Sequence, residues 1–187
     1  MARSLTSFNV SDTFKATVNN AINSGDPATR AQGSTINFSN LATGTGANQA
    51  DRFWEAIGRT LNSAASEDLD LYDLAAFDIG AGAGKDALGL AMSNAELVGI
   101  RIYNYETSIG NLIVGGKNTG AAFQSIFAVG GTLDDTAQLV LKPGALFSLR
   151  MRGDPAYAIA DSTNHLLTFL ASGGNCTFDV AFMARSA

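Results

Sequence analysis

The chain has 187 residues, 46% of them hydrophobic and only 16% charged, with a formal net charge of −5. That size suits one domain with an arm, and this balance of apolar content and charge excludes a disordered chain. Lys and Arg are scattered rather than clustered, which excludes a phosphate-neutralising surface for nucleic acid, and no run approaches the ~20 apolar residues of a membrane-spanning helix.

The opening MARSLTSFNVSDTF has no apolar run long enough for a secretory leader, so a soluble protein is expected. The first fifty residues are rich in Ser, Thr, Asn, Ala and Gly and sparse in apolar anchors. They predict an N-terminal arm or edge segment, 1–50, beside a main domain, 51–187. Within the arm, Ser11 is placed to cap a short helix carrying Phe14, Val18 and Ile22 on one face and closed by Gly25. The polar LATGTGANQ that follows reads as loop.

From residue 51 the recurrent signal has period two. In DRFWEAIGRTL, Phe53, Trp54, Ile57 and Leu61 also fit helical spacing, and Gly58 weakens either element. A strand is expected, in part from the family resemblance given below. EDLDLY places Leu69 and Leu71 on one face and Asp68 and Asp70 on the other. In VGIRIYNY, Val98, Ile100 and Ile102 alternate with Gly99, Arg101 and Tyr103. NLIVGG is a short strand ended by glycines. Leu139 and Leu141 alternate with Gln138, Val140 and Lys142; beyond a Pro-Gly corner, Ala145, Phe147, Leu149 and Met151 oppose Ser148, Arg150 and Arg152. AYAIA, HLLTFL and CTFDVAFMA complete the series. Short alternating runs broken by Gly, Pro, Asn and Asp predict an all-β antiparallel sandwich. Phe147, Leu149, Phe178, Val180 and Phe182 are expected on its facing inner surfaces.

Pro143-Gly144 suits the centre of a type II turn, in which proline presets one angle and glycine supplies a positive one. That twist does not match a two-residue hairpin, so the corner is expected in a wider loop or between sheets.

No motif for chemistry survives inspection, and no catalytic, cofactor-binding or metal-binding residue is assigned. GAGAGKDA (80–87) resembles a phosphate loop, but Ile79 stands where a glycine is required and Asp86 where Ser or Thr would hold magnesium. His165 is the only histidine, the GxSxG elbow is absent, and a usual zinc set needs a second histidine. The carboxylates of SEDLDLYD lack the loop glycine of a calcium hand, and Asp68 and Asp70 mark a solvated strand face. Arg152-Gly153-Asp154 matches an adhesion tripeptide but is ordinary turn chemistry before Pro155. Asn175 begins a formal glycosylation triplet, which carries no weight where no secretory leader is expected. Cys176, the single cysteine, alternates in phase with Phe178, Val180 and Phe182 and reads as a small core hydrophobe.

Four segments together, TINFSNLATGTGANQADRFW, ASEDLDLYDL, VGIRIYNYETSIGNLIVGG and LVLKPGALFSLRMRGDPAYAIADSTNHLLTF, resemble small β-sandwich proteins of tailed-bacteriophage particles. The resemblance covers about residues 35 to 187 and is strongest over 109 to 170. It departs at Ala145, where such proteins often carry a second glycine, and in the polar N-terminal arm. It implies a jelly-roll-like virion protein: a cement or decoration protein on the capsid exterior, bound to the major capsid protein and commonly a homotrimer. Two other classes compete with it. One is a host-binding module of a tail fibre or spike, using RGDPAY or the GAGAGKD loop. The other is a hydrolase or lectin-like sandwich using His165 or the acidic strand.

Overall fold

The computed structural model describes residues 12–21, 27–36, 42–74, 84, 91–115, 121–127 and 137–186, and every element in them is a β-strand. Chain contacts divide it into two compact units, Thr6–Ala42 and the residues from Thr43 onward.

The first unit holds β1 (Asp12–Ala21) and β2 (Pro27–Ile36), an antiparallel ribbon in register from Asp12 opposite Ile36 to Ala21 opposite Pro27. The helix expected at 11–25 is therefore a strand over its described part; Ser11, Ile22 and Gly25 lie outside the described residues. The physical reason is a degeneracy of spacing. Phe14 and Val18 stand four apart, and four residues are close to one helical turn but also two full strand repeats. With Thr13, Thr17 and Val18 branched at Cβ, propensity favours the strand.

The second unit begins with a minimal ladder of β3 (Ala42–Thr43) and β4 (Gln49–Ala50). Nine strands follow: β5 (Arg52–Leu61), β6 (Ser66–Asp70), β7 (Asn94–Asn104), β8 (Asn111–Gly115), β9 (Gln138–Leu141), β10 (Leu146–Arg150), β11 (Tyr157–Ala158), β12 (Leu166–Ser172) and β13 (Cys176–Ser186). They form two antiparallel sheets packed face to face. Sheet I has the order β10-β7-β13-β5, with β11 also on β7; sheet II has the order β6-β12-β8-β9. The fold is thus the all-β antiparallel sandwich that the alternation predicts.

Between the sheets the core is apolar and continuous. Trp54, Ile100, Ile102, Phe178, Val180 and Phe182 of sheet I and Leu69, Leu112, Val114, Leu167 and Phe169 of sheet II are all buried. Phe169 stacks on Phe178 across the gap with ring centroids 5.1 Å apart, and Trp54 lies 5.5 Å from Phe182 along sheet I. Burying side chains of this size stabilises by roughly 1.5–3 kcal/mol each, so this layer dominates the fold energetically. One expectation needs correcting here. Phe147 and Leu149 do not face Phe178, Val180 and Phe182 from the opposite sheet. Phe147 aligns through Ile102 with Val180, and Leu149 through Ile100 with Phe182, so all five line one inner face. Alternation tells which way a residue points along its strand; it does not tell which sheet the strand joins. Phe147 and Leu149, near the sheet's margin on β10, are only partly buried.

β5 carries an irregularity that resolves its ambiguous pattern. Val180 pairs with Ala56 but Phe178 with Arg59, so β5 holds one extra residue, a bulge at Ile57–Gly58. Gly58 takes φ +66, and its N–H is bonded at 2.8 Å by Asp179 Oδ1. The extra residue switches the inward phase, so that Trp54 and Ala56 before it and Leu61 after it all face the core while Ile57 is 63% exposed. Beside it, Arg59 reaches Glu67 of β6 through two bonds of 2.8 and 2.6 Å, which ties the edges of the two sheets together.

Candidate functional site

Two corners, one polar pair and one aromatic cluster gather the side chains singled out in the sequence. The first corner is Pro143-Gly144. The Ala145 N–H returns to the Lys142 carbonyl at 2.9 Å and Gly144 has φ +81, which is the type II geometry expected. The turn joins β9 of sheet II to β10 of sheet I and so carries the chain between sheets. Beneath it lies Asn104, fully buried at the end of β7. Its main chain bonds both Gly144 and Ala145, and its side-chain amide donates to the carbonyls of Leu141 (2.9 Å) and Gly110 (3.2 Å).

The second corner is Arg152-Gly153-Asp154-Pro155, exposed and with a cis Asp154–Pro155 bond. It is the turn the tripeptide predicts, and both charged side chains, though exposed, have partners within the fold. Arg152 Nε donates to Asn48 Oδ1 at 2.7 Å, and Asp154 Oδ1 lies 3.6 Å from Arg185 Nη1. Arg185 was not legible as a site residue. It follows the last apolar residue of β13 and is 1% exposed, held by Glu96 Oε2 at 2.6 Å and by the carbonyls of Gly153 (2.8 Å) and Gln49 (3.1 Å). One guanidinium thereby fastens β4, β7 and the corner to the end of β13. The guanidinium donates from three separate nitrogens fixed in one plane, a spread that the single nitrogen of an ammonium does not have.

His165 and Asp70, separated by most of the domain in sequence, meet where β6 ends and β12 begins. Nδ1 stands 3.0 Å from Oδ2, and both side chains are about seven-eighths buried (13% and 14% exposed). Asp70 Oδ1 also accepts the Tyr72 N–H at 2.9 Å, and Asp68 Oδ1 accepts the Thr168 hydroxyl at 2.7 Å. The acidic strand face read as solvated is therefore half buried and engaged. The pair has the histidine and carboxylate of a hydrolytic triad, but no serine hydroxyl is bonded to His165 among the described residues. Nor do those residues contain a group of three or more His, Cys, Asp or Glu able to hold a metal ion.

The aromatic cluster lies on and beside the outer side of sheet I. Tyr103 and Tyr105 have ring centroids 5.3 Å apart, and the Tyr105 hydroxyl donates to Asp179 Oδ1 at 2.8 Å. That hydrogen bond above all, with the carboxylate charge behind it, pushes the Tyr105 phenol above its ordinary value.

Of the glycine-rich stretch 80–87, only Gly84 lies among the described residues; the rest falls outside them. Asn175 is exposed but structural, its Oδ1 taking the Ser63 N–H at 2.8 Å. Cys176 is buried in the core as its phase predicts, and burial pushes its thiol up. No family model matches this chain, and no curated protein or solved structure matches it.

Proposed function

We propose that this chain is a structural virion protein of a tailed bacteriophage, a cement or decoration protein that binds the major capsid protein on the capsid exterior. The observation that carries the reading is the order of the strands. Counted one to eight along the chain without the two-residue β11, the sandwich strands stand as 6-3-8-1 in sheet I and 2-7-4-5 in sheet II. Strands 1 and 8, 2 and 7, 3 and 6, and 4 and 5 are therefore neighbours, the nesting produced by rolling up one long antiparallel hairpin. That order supports the finer jelly-roll reading, and jelly rolls are an architecture of viral capsid and lectin domains. The sequence resemblance points to the same class of particle.

A protein of this kind acts through contact area, and the separate Thr6–Ala42 unit offers area beyond that of the sandwich. Receptor contact through Arg152–Asp154 has less support, because both charged groups already have partners, Arg152 in Asn48 and Asp154 in Arg185. The test is co-sedimentation with phage shells stripped of this protein. Saturable uptake by the shells is expected, with weaker uptake when residues 1–41 are removed. Shells that take up neither form overturn the reading.

A further inference from the structure

The outer face of sheet I has a symmetry that the core does not require. Across its middle, β13 presents Ala181, whose register partners are Arg101 on β7 and Glu55 on β5. Both charged side chains are exposed, and among the described residues neither has an ion-pair partner. A cation and a carboxylate thus flank a small residue at equal strand separations, with opposite sign. The adjacent row runs Leu146, Tyr103, Asp179 and then the bulge at Ile57, apolar at both ends: Leu146 is 48% and Ile57 63% exposed.

We propose that this face binds a second copy of the same chain, related by a twofold axis running along β13. Such a rotation exchanges the two sides of the strand. It lays Arg101 of each copy on Glu55 of the other, twice over, and sets the Leu146–Tyr103 side of one face against the Ile57 side of the other. A contact of this isologous kind must be self-complementary, and the alternation of charge about Ala181 is what that requires. The small Ala181 side chain lets the two β13 strands approach at the spacing of stacked sheets, about 10 Å. The threefold closure implied by the family resemblance is heterologous and would instead set a different surface of the neighbour against this face.

Three strands of ten or eleven residues and the five-residue β10, about 4.8 Å apart, give a face of about 600 Å² per copy, below the ~800 Å² of a standard stable interface. Association is therefore weak, concentration-dependent and sensitive to salt. Asp179 is the one like-charged pair brought near the axis, and its Oδ1 is already occupied by the Gly58 N–H and the Tyr105 hydroxyl. Asp179→Asn keeps those acceptor contacts and should tighten the pair.

The proposal is independent of what the protein binds in a particle. Sedimentation velocity on the full chain, over a concentration series at low and raised salt, tests it. A monomer–dimer equilibrium is expected. Arg101→Glu or Glu55→Arg alone sets like charges together twice and should weaken association on the order of a hundredfold. The double exchange Arg101→Glu with Glu55→Arg restores opposite charges and should return association to about the starting level. Both sites are exposed, so circular dichroism should be unchanged in every variant. A chain monomeric at all concentrations, a trimer indifferent to the single reversals, or a double variant as weak as the singles overturns it.

Discussion

The two proline corners of the sandwich invite comparison, because both turn the chain at the surface and both are fastened from below by one buried polar side chain. Under Pro143-Gly144 the fastener is Asn104, a neutral amide at the end of β7. Under Gly153-Asp154-Pro155 it is Arg185, a full charge near the end of β13. A buried amide needs only its hydrogen bonds, whereas a buried guanidinium needs a counter-charge as well, and Glu96 supplies it. Backbone differs too. The first corner depends on a positive φ at Gly144, while Gly153 has none and leaves ordinary room for a side chain. One corner is held by conformation and the other by charge.

The largest effect should come from breaking the charged fastener. Arg185→Met leaves Glu96 without its partner, and removal of one member of a buried pair costs 3–5 kcal/mol. Because Glu96 remains one-fifth exposed, about 3 kcal/mol is expected, read as a shift of the urea midpoint with the slope unchanged. Asn104→Ala strands two carbonyls but no charge, and about 1–3 kcal/mol is expected from the same measurement. If it proves the costlier of the two, the contrast between amide and guanidinium is wrong.

Exchanging the glycines sharpens the backbone half of the comparison. Gly144→Ala forces a left-handed conformation on a residue with a Cβ and should cost about 1–2 kcal/mol. Gly153→Ala should fall within about 0.5 kcal/mol of the starting protein. Equal losses would mean that the corners do not differ in this way.

Much of this architecture was legible. Leu69, Ile100, Ile102, Leu141, Phe178 and Phe182 take the inward positions their alternation predicts, because a strand with one buried face writes its orientation at period two. Pro143-Gly144 was legible as well, since proline and glycine restrict the backbone locally. Other features depend on tertiary pairing and leave no local mark. Sheet membership of β10, the meeting of His165 with Asp70, and the burial of Arg185 under a corner thirty residues upstream are of this kind. Four-residue spacing misled at Phe14 and Val18 because helix and strand share it. At β5 the bulge hid the alternation by switching its phase.

A smaller effect concerns Asp179, whose bond to Tyr105 lies far from both corners. The raised phenol pKa means that the folded state favours neutral Tyr105. Its contribution to stability is complete below the ordinary tyrosine value of about 10 and is lost as pH rises through the higher folded value. An alkaline absorbance titration should show a tyrosine ionising above the ordinary value, and Asp179→Ala should bring that step back down. A titration unchanged by that substitution would remove the hydrogen bond as the cause.

The central functional claim is that this sandwich acts as contact surface on a phage shell, and its location in the particle tests it most directly. Virions carrying an epitope tag on the chain, imaged by cryo-electron microscopy with a bound antibody fragment, would locate it. Regularly repeated density over the capsid exterior is the predicted result. Label confined to the tail tip or fibres, or absent from the particle, would contradict the account.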